Sequence, residues 1–296
     1  MSLDEPSLTV VVCTRGRPRQ LHPTLDALTG QDGAFELVVV DQGSAPDPEL
    51  ERRAGAGELA LVRDDGHGLS RARNLALARA STTWIAFVDD DCLVDPDFGI
   101  ALRAALRRAP WADWVSGDVR AGGPAVDGLP VTTFPVPRTR TRSGRWTLPG
   151  RIGFGVMFCV RCSTARALGG WDERLGPGVE AFPAADDVDF NYRLLRSGGL
   201  AFLSPRVRAR HEQWRSAEEL PGLQRGYVRA WSGFAMKHLR GGDVAGGLWL
   251  WAWGVVDVLD MLESGLSRRS AFRLRLAGAK LRGLVEGTLA GAARRW

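Results

Sequence analysis

Short apolar runs alternate with segments of helical composition over the first 120 residues of the chain. Leu8 to Cys13, Phe35 to Val40, Leu59 to Val62 and Trp84 to Val88 predict four strands, and Pro18 to Leu28, Pro48 to Gly55 and Leu69 to Ala80 predict the helices between them. Such alternation marks crossover units feeding a mostly parallel sheet. Each predicted strand runs into a polar cluster: Thr14-Arg15-Gly16-Arg17, Asp41-Gln42-Gly43-Ser44, Arg63-Asp64-Asp65-Gly66 and Asp89-Asp90-Asp91. Any one of these has the composition of an ordinary turn. Together they predict a site, because ligands of open α/β sheets bind beyond the carboxyl ends of the strands.

The pattern changes after a fifth predicted strand, Trp114 to Gly117. From Arg120 to Arg151 neither the helical nor the strand period appears, which predicts a long loop whose Arg138, Arg140, Arg142 and Arg145 create a local positive field. Strand character returns from Gly153 to Val160 and again just before His211; Thr164 to Leu168 and Asp186 to Arg196 predict helices. The remainder reads as three helices, Ala217 to Arg240, Val244 to Leu262 and Arg268 to Ala293. The middle one carries Trp249, Trp251 and Trp253, and Asp257 and Asp260 interrupt it. Its uncharged part is shorter than the ~20 residues a bilayer span needs, so a buried or interfacial helix is expected.

Composition narrows the class. A chain of 296 residues with 45% apolar and 25% charged content buries a large core, excluding disorder and small disulfide scaffolds. Its 36 glycines and 16 prolines follow no repeat, which excludes collagen and solenoids. The net charge of +5 is uneven: residues 264 to 296 hold eight cations against Glu286, a net +7 that leaves −2 for the rest. A slightly acidic body with a basic tail does not suit nucleic acid but does suit anionic headgroups or an acidic partner. Cys159 and Cys162 form a C-x-x-C with no second pair, so a structural zinc site is not expected and buried packing is. The start MSLDEPS lacks the basic flank and apolar core of a signal peptide. A cytoplasmic chain with reduced thiols is expected.

Two acidic clusters carry the candidate chemistry. Asp89, Asp90 and Asp91 follow a buried-type strand, where crowded carboxylates call for a cation, and hard oxygen ligands suit Mg²⁺ or Mn²⁺ on a diphosphate. Asp186, Asp187 and Asp189 open a predicted helix, where the macrodipole favours acids and where a general base could sit; spacing does not say which of the three would act. His211 follows a predicted strand, and imidazole suits Mn²⁺ better than Mg²⁺.

Six segments in order, Leu8 to Arg15, Val38 to Ser44, Gly68 to Asn74, Phe87 to Asp91, Gly169 to Glu173 and Asp186 to Asp189, resemble the family 2 glycosyltransferases of the GT-A fold. The resemblance covers about residues 7 to 215. It implies a GT-A catalytic domain over 1–215, with a nucleotide-sugar half to about 118 and an acceptor half from about 119, followed by a helical extension over 216–296. It implies that Thr14, Arg15, Arg17, Asp41, Gln42, Arg73, Asp89 and Asp90 line the donor site, Asp41 reading the base. Asp89, Asp91 and His211 are the implied ligands of Mn²⁺ or Mg²⁺, Asp187 the implied catalytic base, and Trp171, Asp172 and Asp186 the implied acceptor-side residues. Gln42 stands where the family carries a second acid, and Asp186 where it carries glutamate. The first leaves the base open between uracil and another, with a UDP-sugar the first expectation.

The implied reaction is an inverting, metal-dependent transfer of a sugar from a nucleotide diphosphate to a hydroxyl of a glycan, a lipid-linked or a small-molecule acceptor, as in cell-envelope or natural-product glycosylation. A non-catalytic sugar-nucleotide-binding scaffold and a nucleotidyltransferase are the rival classes. In the last helix Leu274, Leu281, Val285 and Leu289 share a face flanked by arginines. That pattern predicts either peripheral contact with the anionic inner face of a membrane, or packing on the domain or in a homodimer.

Overall fold

The central strands form where β-branched residues are consecutive. β1 (Leu8–Thr14) is buried along its whole length, as a strand covered on both faces must be. Its side chains alternate between two cores: Val10 and Val12 pack in one, Val11 and Cys13 in the other. A computed structural model describes residues 6–32, 35–123, 131–212 and 215–296. Along the chain β1 is followed by α1 (Pro18–Thr29), β2 (Glu36–Asp41), α2 (Pro48–Gly55), β3 (Ala60–Arg63), α3 (Leu69–Arg79), β4 (Trp84–Asp89), β5 (Cys92–Val94), α4 (Phe98–Arg108) and β6 (Trp114–Ala121). Then come β7 (Arg140–Arg142), β8 (Met157–Arg161), α5 (Cys162–Ala167), α6 (Asp186–Arg196), β9 (Ala201–His211), α7 (Leu220–Arg240), α8 (Val244–Ser267) and α9 (Ala271–Ala293).

The strands make one sheet in the order β3-β2-β1-β4-β8-β6-β9-β5, with β7 beside β9. β1 pairs parallel with both β2 and β4, setting Thr14 against Asp41 and Cys13 against Asp89. Three of the four expected polar clusters therefore leave the sheet side by side, and the fourth joins through the parallel β2–β3 pair, Asp41 opposite Arg63. Beyond β4 the sheet becomes mixed: β8 is antiparallel to β4 and β6, and β6 is parallel to β9.

The chain divides into two compact units. The first contains the sheet and covers residues 1–125, 130–171 and 190–213. The second covers 126–129, 172–189 and 214–296, so residues 172–189, expected in the 1–215 domain, group with the C-terminal helices.

In the second unit α9 lies against α7 through glycines four apart. A Cβ at Gly283 would stand 2.3 Å from the Arg225 carbonyl oxygen, and one at Gly287 2.0 Å from that of Arg229; only glycine permits backbones this close. Lys280 Nζ donates to Asp257 at 2.7 and 2.8 Å, and Trp251 Nε1 donates to Thr288 Oγ1 at 2.9 Å, tying α8 to α9.

Several expectations need correcting. The segment 120–151 is not a structureless loop: β7 pairs with β9, Phe134 bridges Val119, Val131 and Val136 are buried, and Pro149–Arg151 forms a 3-10 turn. Residues 124–130 of that segment lie outside the described residues. Helix α4 was not expected, although Phe98, Leu102, Ala105 and Leu106 keep a helical spacing and are buried. The four cysteines are buried and unbridged, as packing predicts.

Candidate active site

β4 delivers Asp89, Asp90 and Asp91 to the carboxyl edge of the sheet, and the three point to different partners. Asp90 is fully buried. Thr14 Oγ1 donates to its Oδ2 at 2.7 Å, Arg17 Nε donates to the same oxygen at 3.0 Å, and a second Arg17 nitrogen meets Oδ1. Burial nonetheless pushes the Asp90 carboxyl up to about 6 against the pull of Arg17 and Thr14. Asp89 lies 3.5 Å from the Arg73 guanidinium and is also raised, by burial and by Asp91 and Asp90, against the opposing charge of Arg73. Two raised carboxyls beside a third acid gain when a cation enters.

Asp91 meets His211 through strand pairing. β5 runs antiparallel to β9 with Cys92 opposite His211, which leaves Asp91 Oδ1 3.3 Å from His211 Nε2. His211 Nδ1 donates to the Thr132 carbonyl oxygen at 2.9 Å, fixing the ring with Nε2 toward the carboxylate, the orientation that metal-binding imidazoles need. Burial lowers the imidazole pKa, but the hydrogen bond and charge of Asp91 outweigh it and the net shift is upward. Asp91, Cys92 and His211 form a cluster with metal-ligand spacing. Burial and the neighbouring aspartates push the Cys92 thiol well up, and of the three side chains the carboxylate and the imidazole are the harder donors. This set suits Mn²⁺ or a similar divalent cation.

The residues expected on the donor side occupy the same edge. Asp41 Oδ1 accepts from the Gly43 amide at 2.7 Å, and its Oδ2 pairs with Arg63. Gln42 is buried, its Nε2 donating to Asp64 Oδ2 at 2.8 Å and to the Gly68 carbonyl at 3.2 Å. A second acid at position 42 could donate to neither and would face the Asp64 charge, so the amide is what this local structure requires. Arg71 and Gln42 together hold the Asp64 carboxyl below its ordinary range, Arg71 first. Arg15 donates to His67 Nε2 at 3.0 Å in the exposed rim. Arg73 is almost fully buried, donates to the Gly155 carbonyl at 3.0 Å and lies over the Phe158 ring.

Trp171 is placed differently from its expected acceptor-side role. It is 2% exposed, stacked on Phe190 at 4.6 Å and edge-on to Phe87 at 5.1 Å, so its indole fills the core and offers no surface to an acceptor. Its backbone is clamped by Asn74, whose Nδ2 donates to the Trp171 carbonyl and whose Oδ1 accepts from the Trp171 amide, both at 2.8 Å. Gly170 beside it has φ +70°, and a Cβ there would stand 2.4 Å from Asn74 Oδ1. Gly170→Ala should therefore cost about 2–3 kcal/mol, from left-handed strain and a displaced hydrogen bond, and lower the Tm in a calorimetric scan; an unchanged Tm would contradict the clamp.

In the second unit, α6 opens after Ala185, whose φ of +69° is unusual for a residue with a Cβ. Asp187 on this first turn is partly buried and its Oδ1 accepts from the Val188 amide at 2.7 Å; Asp186 is buried against Gly176. Asp189, the third acid, is buried between two groups of α7: Lys237 Nζ at 2.7 Å and His238 Nε2 at 2.9 Å. Lys237 also reaches Asp172 Oδ2 at 2.7 Å, while Arg174 holds both Asp172 oxygens at 2.8 Å. Burial raises the Asp172 carboxyl, but Arg174 and Lys237 outweigh it and hold the group at about 2. Asp172 is thus an anchor for two cations. Lys237 and His238 were not among the expected residues, since nothing local ties them to acids 48 to 65 positions earlier.

Residues 9–168 match the family model described as Glycosyl transferase family 2. The galactofuranosyltransferase GlfT1 of Mycobacterium tuberculosis is 29% identical over 208 residues, covering 65% of this chain and 66% of that protein. The succinoglycan biosynthesis protein ExoO of Rhizobium meliloti is 30% identical over 171 residues, covering 52% of this chain and 44% of that protein. The chain thus spans slightly under two thirds of the first relative and less than half of the second. The mannosyltransferase PcManGT from Pyrobaculum calidifontis, solved with GDP-Man and Mn²⁺, superposes with a TM-score of 0.62 over 96% of this chain and 87% of that one at 18% identity, which gives the chain the GT-A fold. Trp171, Asp172, Asp187 and His211 lie beyond the matched segment, which nevertheless contains the Asp41, Arg73 and Asp89-Asp90-Asp91 positions and more than half of all residues. On that match, the chain belongs to glycosyl transferase family 2.

Proposed function

We propose that this protein transfers a sugar from a nucleotide diphosphate donor to an acceptor hydroxyl with inversion at the anomeric carbon. The observation that carries the reading is the pairing of Asp91 with His211 at 3.3 Å, the imidazole tethered through Nδ1 to the Thr132 carbonyl. Asp91 and His211, with Asp89 beside them, would hold a divalent cation. When bound, that cation neutralises charge on the departing nucleoside diphosphate. Asp41 and Gln42 border the base, and Arg73 supplies a fixed positive charge at the same sheet edge. Asp187 takes the proton of the attacking hydroxyl, and holding donor and acceptor in line supplies a further share of the rate.

A relative named as a galactofuranosyltransferase and a fold neighbour solved with GDP-Man and Mn²⁺ support a nucleotide-sugar donor and a divalent cation. They leave UDP and GDP as the first two donors to compare. The test is a thermal-shift series of nucleoside diphosphates and nucleotide sugars, with and without Mn²⁺ or Mg²⁺, on the wild type and Asp91→Ala. A ligand that binds the folded state stabilises it by mass action, by about 2.7 kcal/mol at a hundredfold excess over Kd, and so raises its Tm. One nucleotide series should stabilise the wild type only with metal, and Asp91→Ala should lose the effect. No shift with any nucleotide under any metal condition would sink the reading and favour a scaffold.

A further inference from the structure

One exposed face of the second unit is apolar over two helices. On α8 the exposed side chains Val244, Leu248, Leu259, Leu262 and Leu266 recur at helical spacing along one stripe; on α9 Leu274, Leu281, Val285 and Leu289 do the same. The residues are far from incidentally exposed: Leu266 keeps 63% and Leu289 65% of its surface. Scattered single leucines need no explanation, but nine in two rows do.

The two stripes lie on the same side of the helix pair. Trp251 and Thr288, whose hydrogen bond links α8 to α9, each sit on the edge of a helix between its buried face and its stripe. At the other end Gly265, next to Leu266, lies against Leu274 across the turn. The stripes are therefore neighbours and form one surface.

Charge identifies what this surface suits. Arg268 and Arg269 are exposed in the turn that joins the stripes, and Arg275 and Arg282 are exposed on α9 directly beside Leu274 and Leu281. Of the acids of α8, Asp257 is already paired with the buried Lys280 and Asp260 lies away from the stripe, while Glu263, between Leu259 and Leu266, borders it as one acid against these four arginines. An apolar strip edged with arginine is complementary to a bilayer with anionic headgroups, where the leucines enter the acyl boundary and the guanidinium groups meet phosphate.

α8 is also long and apolar enough to cross a membrane, with a mean hydropathy of 1.3 over an 18-residue window. Its opposite face argues for lying flat: Gly246, Gly247, Leu250, Gly254 and Val258 are buried, and α8 packs lengthwise on α7 and α9. We propose that the α8–α9 face is a docking surface for an anionic lipid bilayer, on which both helices lie in the headgroup zone.

The test is flotation of the full chain with vesicles, without nucleotide or metal, so that its result does not depend on the transferase reading. The wild type should float with vesicles of phosphatidylcholine and phosphatidylglycerol and remain in solution with phosphatidylcholine alone. Leu281→Glu/Leu289→Glu should abolish flotation. Each arginine changed to glutamine among Arg268, Arg269, Arg275 and Arg282 should lower the partition coefficient about fivefold, in line with the contribution of one basic residue near an anionic surface. Because these side chains are exposed, the variants should keep the wild-type Tm, which confirms that loss of flotation is loss of the surface. Absence of wild-type flotation on anionic vesicles overturns the proposal. So does a dimer in light scattering that Leu281→Glu/Leu289→Glu dissociates, since a second copy would then cover the face. Retention on the vesicles after alkaline carbonate would overturn the flat geometry in favour of a span. The nucleotide thermal shift, run on the same variants, reports separately on the donor site.

Discussion

Asp187→Asn should reduce kcat for sugar transfer about a thousandfold, within the range general-base removal usually produces, while leaving donor affinity within a factor of two. The expected split follows from the role proposed for the carboxylate. It meets the acceptor hydroxyl as the bond forms, and the nucleotide is held by residues of the sheet edge. The asparagine keeps the size of the side chain and its acceptor oxygen for the Val188 amide, so the Tm should stay near that of the wild type. Transfer would be followed by release of the nucleoside diphosphate, and donor binding by the metal-dependent thermal shift. A kcat within tenfold of the wild type would remove Asp187 from the mechanism and direct attention to Asp186, one residue earlier on the same helical turn.

Lys237→Met should destabilise the helical unit by about 3 kcal/mol. The ammonium contacts two carboxylates, Asp189 and Asp172, each at 2.7 Å, and the Asp189 side chain has no exposed surface. Removing one member of a buried ion pair strands the other charge, which costs several kcal/mol even though a fully apolar replacement of the whole network need not. His238 still reaches Asp189, and Arg174 still holds Asp172, which keeps the expected loss near the lower end. The pH dependence gives a second readout. Asp172 is held at about 2, below its ordinary 3.8, because the charged form is favoured in the fold. Its contribution is present above the unfolded pKa and is lost as pH falls from about 5 toward 2. With Lys237 gone the depression shrinks, so the variant should lose less additional stability than the wild type over that window. A variant with the wild-type Tm and acid profile would show that the network carries no stability.

The parts of this molecule that a reader of the sequence can see are those set by neighbouring residues. β1 and β4 announce themselves through Val10-Val11-Val12 and Ile85-Ala86-Phe87-Val88, and the Asp89-Asp90-Asp91 cluster is visible because it follows such a run. α6 begins and ends where the acids of its first turn and Arg196 place it. What escapes is set by distant contacts. β5 has only three residues and exists because β9 pairs with it. β7 likewise depends on β9, and its Arg-Thr-Arg sequence carries no strand pattern of its own. The partners of Asp189 and the clamp of Asn74 on Trp171 arise only in the fold. Helix α4 is different, since its spacing was there to be read; the neighbouring acids and the short strand before it break the pattern that would have framed it.

β9 enters the sheet between β6 and β5 with a bulge opposite Gly117 and Asp118, where the pairing jumps from Ser204 to Arg208. A Cβ at Gly117 would come within 2.1 Å of the Val207 carbonyl oxygen, so the irregularity has room only at glycine. The bulge sets the phase of the last four residues of the strand, and with it which side chain arrives opposite Cys92. Shifted by one position, the strand would offer Arg210 there and turn His211 to the other face of the sheet. A growing chain accordingly has no imidazole beside Asp91 until His211 has been made and β9 correctly threaded. On the proposed cation site, cation affinity measured during refolding would serve as a clock for the closure of β9.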